Sequence, residues 1–218
     1  MTGGHVHGGS ASPPPGERAS SSRLLVTLGG AGAVAGALIV LVFAATSPAI
    51  EAHRAERLDN AIREVLREPD RYDTMYVTGA RMSGDANPDA ERVYLGRDIS
   101  GRPTGFAIVS GAPGFADMVE VIFGYDPTTK TLLGMKVLES KETPGLGDRI
   151  EKDTLWVAQF VGVVSPLDPV KIGRGKGRPT EIDLITGATI SSRTVVRIIN
   201  QALERLGPAL ESRGGTPP

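Results

Sequence analysis

The chain has 218 residues, with 24 basic against 25 acidic side chains and a net charge of -1, so no global field draws it to nucleic acid or to an anionic surface. At 40% hydrophobic residues it can bury a core, and its length suits one compact domain with appendages. It contains no cysteine, which excludes disulfides, thiolate-bound zinc or iron–sulfur clusters and cysteine nucleophiles, and leaves any redox chemistry to a bound cofactor.

Residues 1–22 are rich in Gly, Pro and Ser without any apolar period, the composition of a disordered tail. Their His5 and His7 are too few ligands to hold a metal by themselves. From Leu24 to Thr46 run 23 residues without a charge, bounded by Arg23 and by Ser47-Pro48. A helix of that length spans about 30 Å of hydrocarbon. The stretch exceeds the apolar core of a cleaved signal peptide, so a single uncleaved transmembrane anchor is expected over 23–47. Gly32 and Gly36 stand in a GxxxG spacing, which suits close helix approach but which a Gly- and Ala-rich segment also supplies by chance. Flanking arginines (Arg18 and Arg23 against Arg54, Arg57, Arg63 and Arg67) mildly favour the large domain inside, but large domains translocate regardless of charge, so composition leaves orientation open.

Between Ile50 and Leu66 apolar residues recur at three and four, the pattern of an amphipathic helix that links anchor and domain over 48–72. The period then shortens to that of strands at Thr74–Thr78, Arg92–Leu95 and Gly105–Ser110. Met118–Tyr125 places Val119, Val121, Phe123 and Tyr125 on one face, Asp126-Pro127-Thr128-Thr129 supplies a turn, and Thr131–Leu138 returns as its hairpin partner. A last amphipathic helix is expected from about Ser191 to Leu206, ending before Gly207-Pro208, with a short tail over 211–218. The fold class is therefore α+β: an antiparallel sheet with flanking helices in a domain over 73–210, preceded by one membrane-spanning helix.

Two loops carry the chemistry. In Asp183-Leu184-Ile185-Thr186-Gly187-Ala188-Thr189, Gly187 permits a tight turn, Ala188 leaves room beside the chain, and the Thr189 hydroxyl precedes a helix N-terminus, with Ser191 just after it. Free amides and the dipole stabilise a phosphate at such a place, and an ordinary N-cap uses the same residues. Glu142-Thr143-Pro144-Gly145-Leu146-Gly147, directly after the hairpin, forms a sharp loop whose amides can face a ligand or simply turn the chain.

Together and in this order the two motifs resemble the FMN-binding domain family of the G subunit of Rnf-type electron transport complexes and the C subunit of sodium-translocating NADH:quinone reductase. The resemblance covers roughly residues 24–207 and fills every fixed position of the Asp-x-x-Ser/Thr-Gly-Ala-Thr pattern at Asp183, Thr186, Gly187, Ala188 and Thr189. It implies covalent FMN, joined by a flavin transferase through its phosphate to Thr189. It also implies that Glu142, Thr143, Pro144, Gly145, Leu146 and Gly147 lie against the flavin. The compact domain fits the G subunit better than the C subunit. The implied function is a membrane-anchored electron carrier among the other subunits of a complex that couples ferredoxin and NAD redox chemistry to ion movement. The domain would lie on the extracytoplasmic side of the cell inner membrane, and no side chain would act as acid, base or nucleophile in turnover. Alternatives are the C-type subunit or a stand-alone extracytoplasmic flavoprotein. A non-redox binding module would rest on the basic run Lys171 to Arg178, but four cations in a Gly-rich loop without a Walker ending are ordinarily a solvated loop, so no nucleic-acid partner is expected.

Overall fold

A computed structural model of the chain describes residues 21–172 and 177–214. Most of the N-terminal tail with His5 and His7, and the centre of the basic run, lie outside them. The elements are α1 (Ser21–Val65), β1 (Arg71–Thr78), β2 (Arg81–Ser83), β3 (Glu91–Arg97), β4 (Pro103–Pro113), β5 (Met118–Asp126), β6 (Thr131–Ser140), the short α2 (Arg149–Lys152) and α3 (Thr154–Ala158), β7 (Asp168–Lys171), β8 (Glu181–Leu184) and α4 (Thr189–Gly214). Two compact units divide between Ala52 and His53.

In the first unit the helix is long and apolar enough to cross a membrane. Leu25, Val26, Leu28 and Phe43 are each more than two-thirds exposed, as lipid-facing side chains are when no protein covers them. The anchor and the linking helix are continuous across Ser47-Pro48, for Pro48 lies inside α1. The proline removes one backbone donor, whereas leaving the helix in an apolar setting would strand several polar groups. The hydroxyls of Thr46 and Ser47 donate to Val42 O (2.8 Å) and Phe43 O (2.7 Å), so neither is left unpaired.

The second unit is built on an antiparallel sheet in the order β2-β1-β3-β4-β5-β6. Alternation along β5 sends Val119, Val121, Phe123 and Tyr125 into the larger core, beneath Val195, Val196, Ile199 and Leu206 of α4. Ile122 and Ala107 face the other way and meet Ala61, Ile62, Val65 and Leu66 from the end of α1. The sheet is thus covered by a helix on each face. Tyr72 of β1 donates its hydroxyl to Asp59, which also accepts from Arg63 at 3.0 Å. That bond and burial push the Tyr72 phenol up to about 12.

The linking helix, expected to reach residue 72, ends at Val65. Arg67 N donates to Glu64 O and Glu68 N to Arg63 O, the paired bonds of a left-handed helix terminus, and Arg67 and Glu68 both take positive φ (59° and 56°) ahead of Pro69. At the other end of the chain α4 begins at Thr189 and continues through Gly207-Pro208 to Gly214, beyond the expected stop at Leu206. Ala209 and Leu210 are fully buried and extend the apolar stripe, so packing outweighs the lost hydrogen bond.

Close packing of the end of α1 on the sheet depends on Gly124. A Cβ there would stand 2.1 Å from Val65 O and 3.0 Å from Leu133 Cβ. Gly124→Ala is therefore expected to cost about 2–3 kcal/mol, lowering the thermal midpoint of the detergent-solubilised chain by about 4–10 °C. An unchanged midpoint would show that the end of α1 can move off the sheet at no cost.

Candidate functional site

The two loops singled out in the sequence meet in space. Their junction is Glu142, only 5% exposed, whose Oε2 accepts from Ser191 Oγ at 2.6 Å. Its Oε1 accepts from Phe115 N (2.8 Å) and Ala116 N (3.1 Å) in the β4–β5 turn. One carboxylate therefore joins three segments: the turn at 114–117, the loop at 142–147 and the start of α4. Burial alone would raise its pKa, but the donations from Ser191, Ala116, Phe115 and Asp117 outweigh this and hold it below the ordinary 4.5. The turn approaches so closely that a Cβ on Gly114 would lie 2.3 Å from Glu142 Oε1, and one on Gly147 2.7 Å from Glu142 Oε2 and 3.1 Å from Ser191 Oγ.

Around this junction Thr143, Pro144, Gly145 and Leu146 are exposed, while Gly147 is buried. Leu146 lies against the second loop, its Cδ2 being 3.5 Å from where a Cβ on Gly187 would stand. Gly187 itself has φ +86°, a left-handed conformation that permits the abrupt change from β8 into α4. Arg149 fastens the same turn from the other side, donating from Nη1 to Thr186 O at 3.0 Å while Nη2 reaches Asp153 at 3.2 Å.

Ala188 is buried and Thr186 and Thr189 are exposed. Thr189 Oγ1 makes a single long bond, to Ile185 O at 3.4 Å, and accepts from no backbone N–H among the described residues, so it does not act as an N-cap. Ser192 supplies that support instead: its Oγ accepts from Ile185 N (3.2 Å) and donates to Ala188 O (2.8 Å). Ser192 N is bonded to Ala188 O, leaving the amides of Thr189, Ile190 and Ser191 without partners among the described residues. Asp183 stands in β8, ahead of the turn into α4. Its carbonyl accepts from Trp156 Nε1 (2.7 Å), its amide donates to Gln159 (3.0 Å), and its Oδ1 is buried without a partner among the described residues.

The sequence reading missed the turn at 114–117, Arg149 and Ile190. Phe115 (65% exposed), Leu146 (52%) and Ile190 (54%) leave a broken apolar rim around the start of α4. A Pro-Gly pair followed by an aromatic, Pro113-Gly114-Phe115, was the available signal for this turn. Nothing local to 142–147 named the partners of Glu142, which come from residues 26 and 49 positions away. In the basic run, Arg178 is committed to Glu181 and Asp168.

These features fit FMN: an accessible hydroxyl, three open amides for a phosphate, and apolar side chains for a flat ring. The FMN-binding domain family matches residues 114–204, starting at the glycine of the overlooked turn. The G subunit of the ion-translocating oxidoreductase complex of Methanosarcina acetivorans is 31% identical over 182 residues, 84% of this chain and 92% of that relative. The chain belongs to this family of G subunits. The corresponding protein of Photorhabdus laumondii is 34% identical over 146 residues, covering 66% of this chain and 68% of its own. The crystal structure of NqrC from Shewanella oneidensis shares the fold of this G-subunit family member, with a TM-score of 0.64 at 18% identity over 74% of this chain and 99% of that one.

Proposed function

We propose that FMN is joined through its phosphate to Thr189 and that the domain carries it on the extracytoplasmic side of the membrane. As a member of the G-subunit family with an FMN-binding domain, the chain is a membrane electron carrier in an ion-translocating oxidoreductase complex, whose other subunits are its partners. The observation that carries the covalent reading is the exposed Thr189 hydroxyl, the first residue of a 26-residue helix and free of any capping duty.

In the maturation step the Thr189 oxygen bonds to the phosphorus of the FMN half of FAD. The anhydride P–O bond breaks, AMP leaves, and the hydroxyl proton passes to a base of the flavin transferase. When bound, FMN supplies reversible uptake and release of electrons. The amides of Thr189, Ile190 and Ser191 would hold the phosphate, and Phe115, Leu146 and Ile190 would supply apolar cover for the ring. Glu142 and Arg149 fix the two loops so that these groups converge. Outside the cytoplasm a covalent link retains a cofactor that would otherwise be lost by dilution.

The test is co-expression of the full chain with a flavin transferase, followed by intact mass and in-gel fluorescence. The expected result is a gain of one FMN that survives denaturation. An unmodified mass beside an active transferase, with FMN bound reversibly instead, would leave a non-covalent carrier; no binding at all would remove the carrier function.

A further inference from the structure

The cation one turn beyond Thr189 has no partner among the described residues. Arg193 is exposed and enters no hydrogen bond or ion pair among the described residues. Its neighbours on the same helical line are occupied or buried. Arg197, another turn on, donates to Pro113 O at 2.9 Å and to Thr194 Oγ1 at 3.3 Å. Val195 and Val196 face the core. Arg149 is held by Thr186 O and Asp153.

Helical geometry decides where Arg193 reaches. Residues four apart lie about 5–6 Å from Cβ to Cβ on one face. Every Cα–Cβ bond tilts toward the helix N-terminus, so a long side chain covers the turn preceding its own Cα. For Arg193 that turn begins at Thr189, and both side chains emerge on the exposed side of α4. A guanidinium presents a planar fork of donors that matches two oxygens of a phosphate, and it stays charged at every working pH.

We propose that Arg193 is a positioning residue for the cofactor: its guanidinium folds back one turn and pairs with the non-bridging oxygens of the phosphodiester on Thr189. This rests on the assignment of Thr189 as the attachment site. The amides of Thr189, Ile190 and Ser191 approach the phosphate along the helix axis and Arg193 from the side, so the pair limits rotation about the bonds that join the ribityl chain to the protein. Without flavin, Arg193 is a solvated surface cation that contributes nothing to the fold.

The test compares wild type, Arg193→Gln and Arg193→Lys, each prepared with and without flavin transferase, by thermal unfolding of the full chain in detergent on the loaded and unloaded fractions. Unloaded wild type and Arg193→Gln are expected to melt together. Loading is expected to raise the wild-type midpoint by about 1–3 °C more than that of Arg193→Gln, a difference that shrinks in roughly 0.5 M salt as expected for an exposed ion pair. Arg193→Lys should recover part of it. Equal increments in wild type and Arg193→Gln overturn the assignment to Arg193 and leave Thr189 untouched. A lower midpoint of unloaded Arg193→Gln with no loss of increment shows a purely structural role and overturns it as well. Failure of wild type to acquire covalent FMN overturns both.

Discussion

Thr189→Val is expected to abolish covalent flavin entirely while moving the midpoint of the unloaded protein by no more than about 1–2 °C. Valine keeps the β-branched shape and removes the one oxygen that can bond to phosphorus. The hydroxyl makes only a 3.4 Å contact with Ile185 O, and the structural bonds where β8 turns into α4 belong to Ser192, so little stability leaves with it. Thr189→Ser retains a hydroxyl at the same place and is expected to load. Fluorescence of the denatured band and intact mass check both variants. Flavin persisting on Thr189→Val would move the attachment to another hydroxyl, of which Thr186 and Thr143 are the exposed neighbours.

The second large effect is expected at Glu142. Glu142→Ala removes the acceptor for Ser191 Oγ, Phe115 N and Ala116 N together. Ser191 is buried and cannot find water, and bonds to a carboxylate are stronger than neutral ones, so the loss is expected to reach about 3–4 kcal/mol and the midpoint to fall by on the order of 10 °C. Glu142→Gln keeps the shape and should lose roughly half of that. The same residue predicts a pH dependence. Its pKa is lowered from 4.5 by folding, so the charged form is favoured in the native state. Its contribution is fully present above the unfolded value and is lost as pH falls through the lower folded value. Wild type should lose its advantage over Glu142→Gln between about pH 5 and pH 3, as read by the difference in chemical denaturation midpoints. A constant difference across that range would mean that the carboxylate is not favoured by the groups that donate to it.

Much of this could be read from residue order, and the rest fails for identifiable reasons. The period of three and four over Ile50–Leu66 and the alternation of Val119, Val121, Phe123 and Tyr125 each reflect one buried face, and both elements stand in the fold. The two loops were recognisable because each needs glycine at fixed points. Helix ends were less legible. Gly207-Pro208 read as a stop, yet the burial of Ala209 and Leu210 keeps that helix going. The pair β7 and β8 carries too few residues to show a period, and α2 and α3 hold only a turn or so each. Hardest of all was the role of Glu142. A charged residue in a Gly- and Pro-rich loop gives no local sign of its donors, which are distant in sequence.

The joining of residues 114–117, 142–147 and 183–191 also ties completion of the site to completion of the fold. Thr189 belongs to the last helix of the chain, and that helix becomes a fixed platform only when it lies on β4 and β5 and Ser191 closes onto Glu142. A chain in which Ser191 has not closed onto Glu142 therefore has Thr189 without the loop at 142–147 beside it. On the proposed attachment to Thr189, a flavin on the folded chain would sit where the two loops have met, so its retention would report that they had done so.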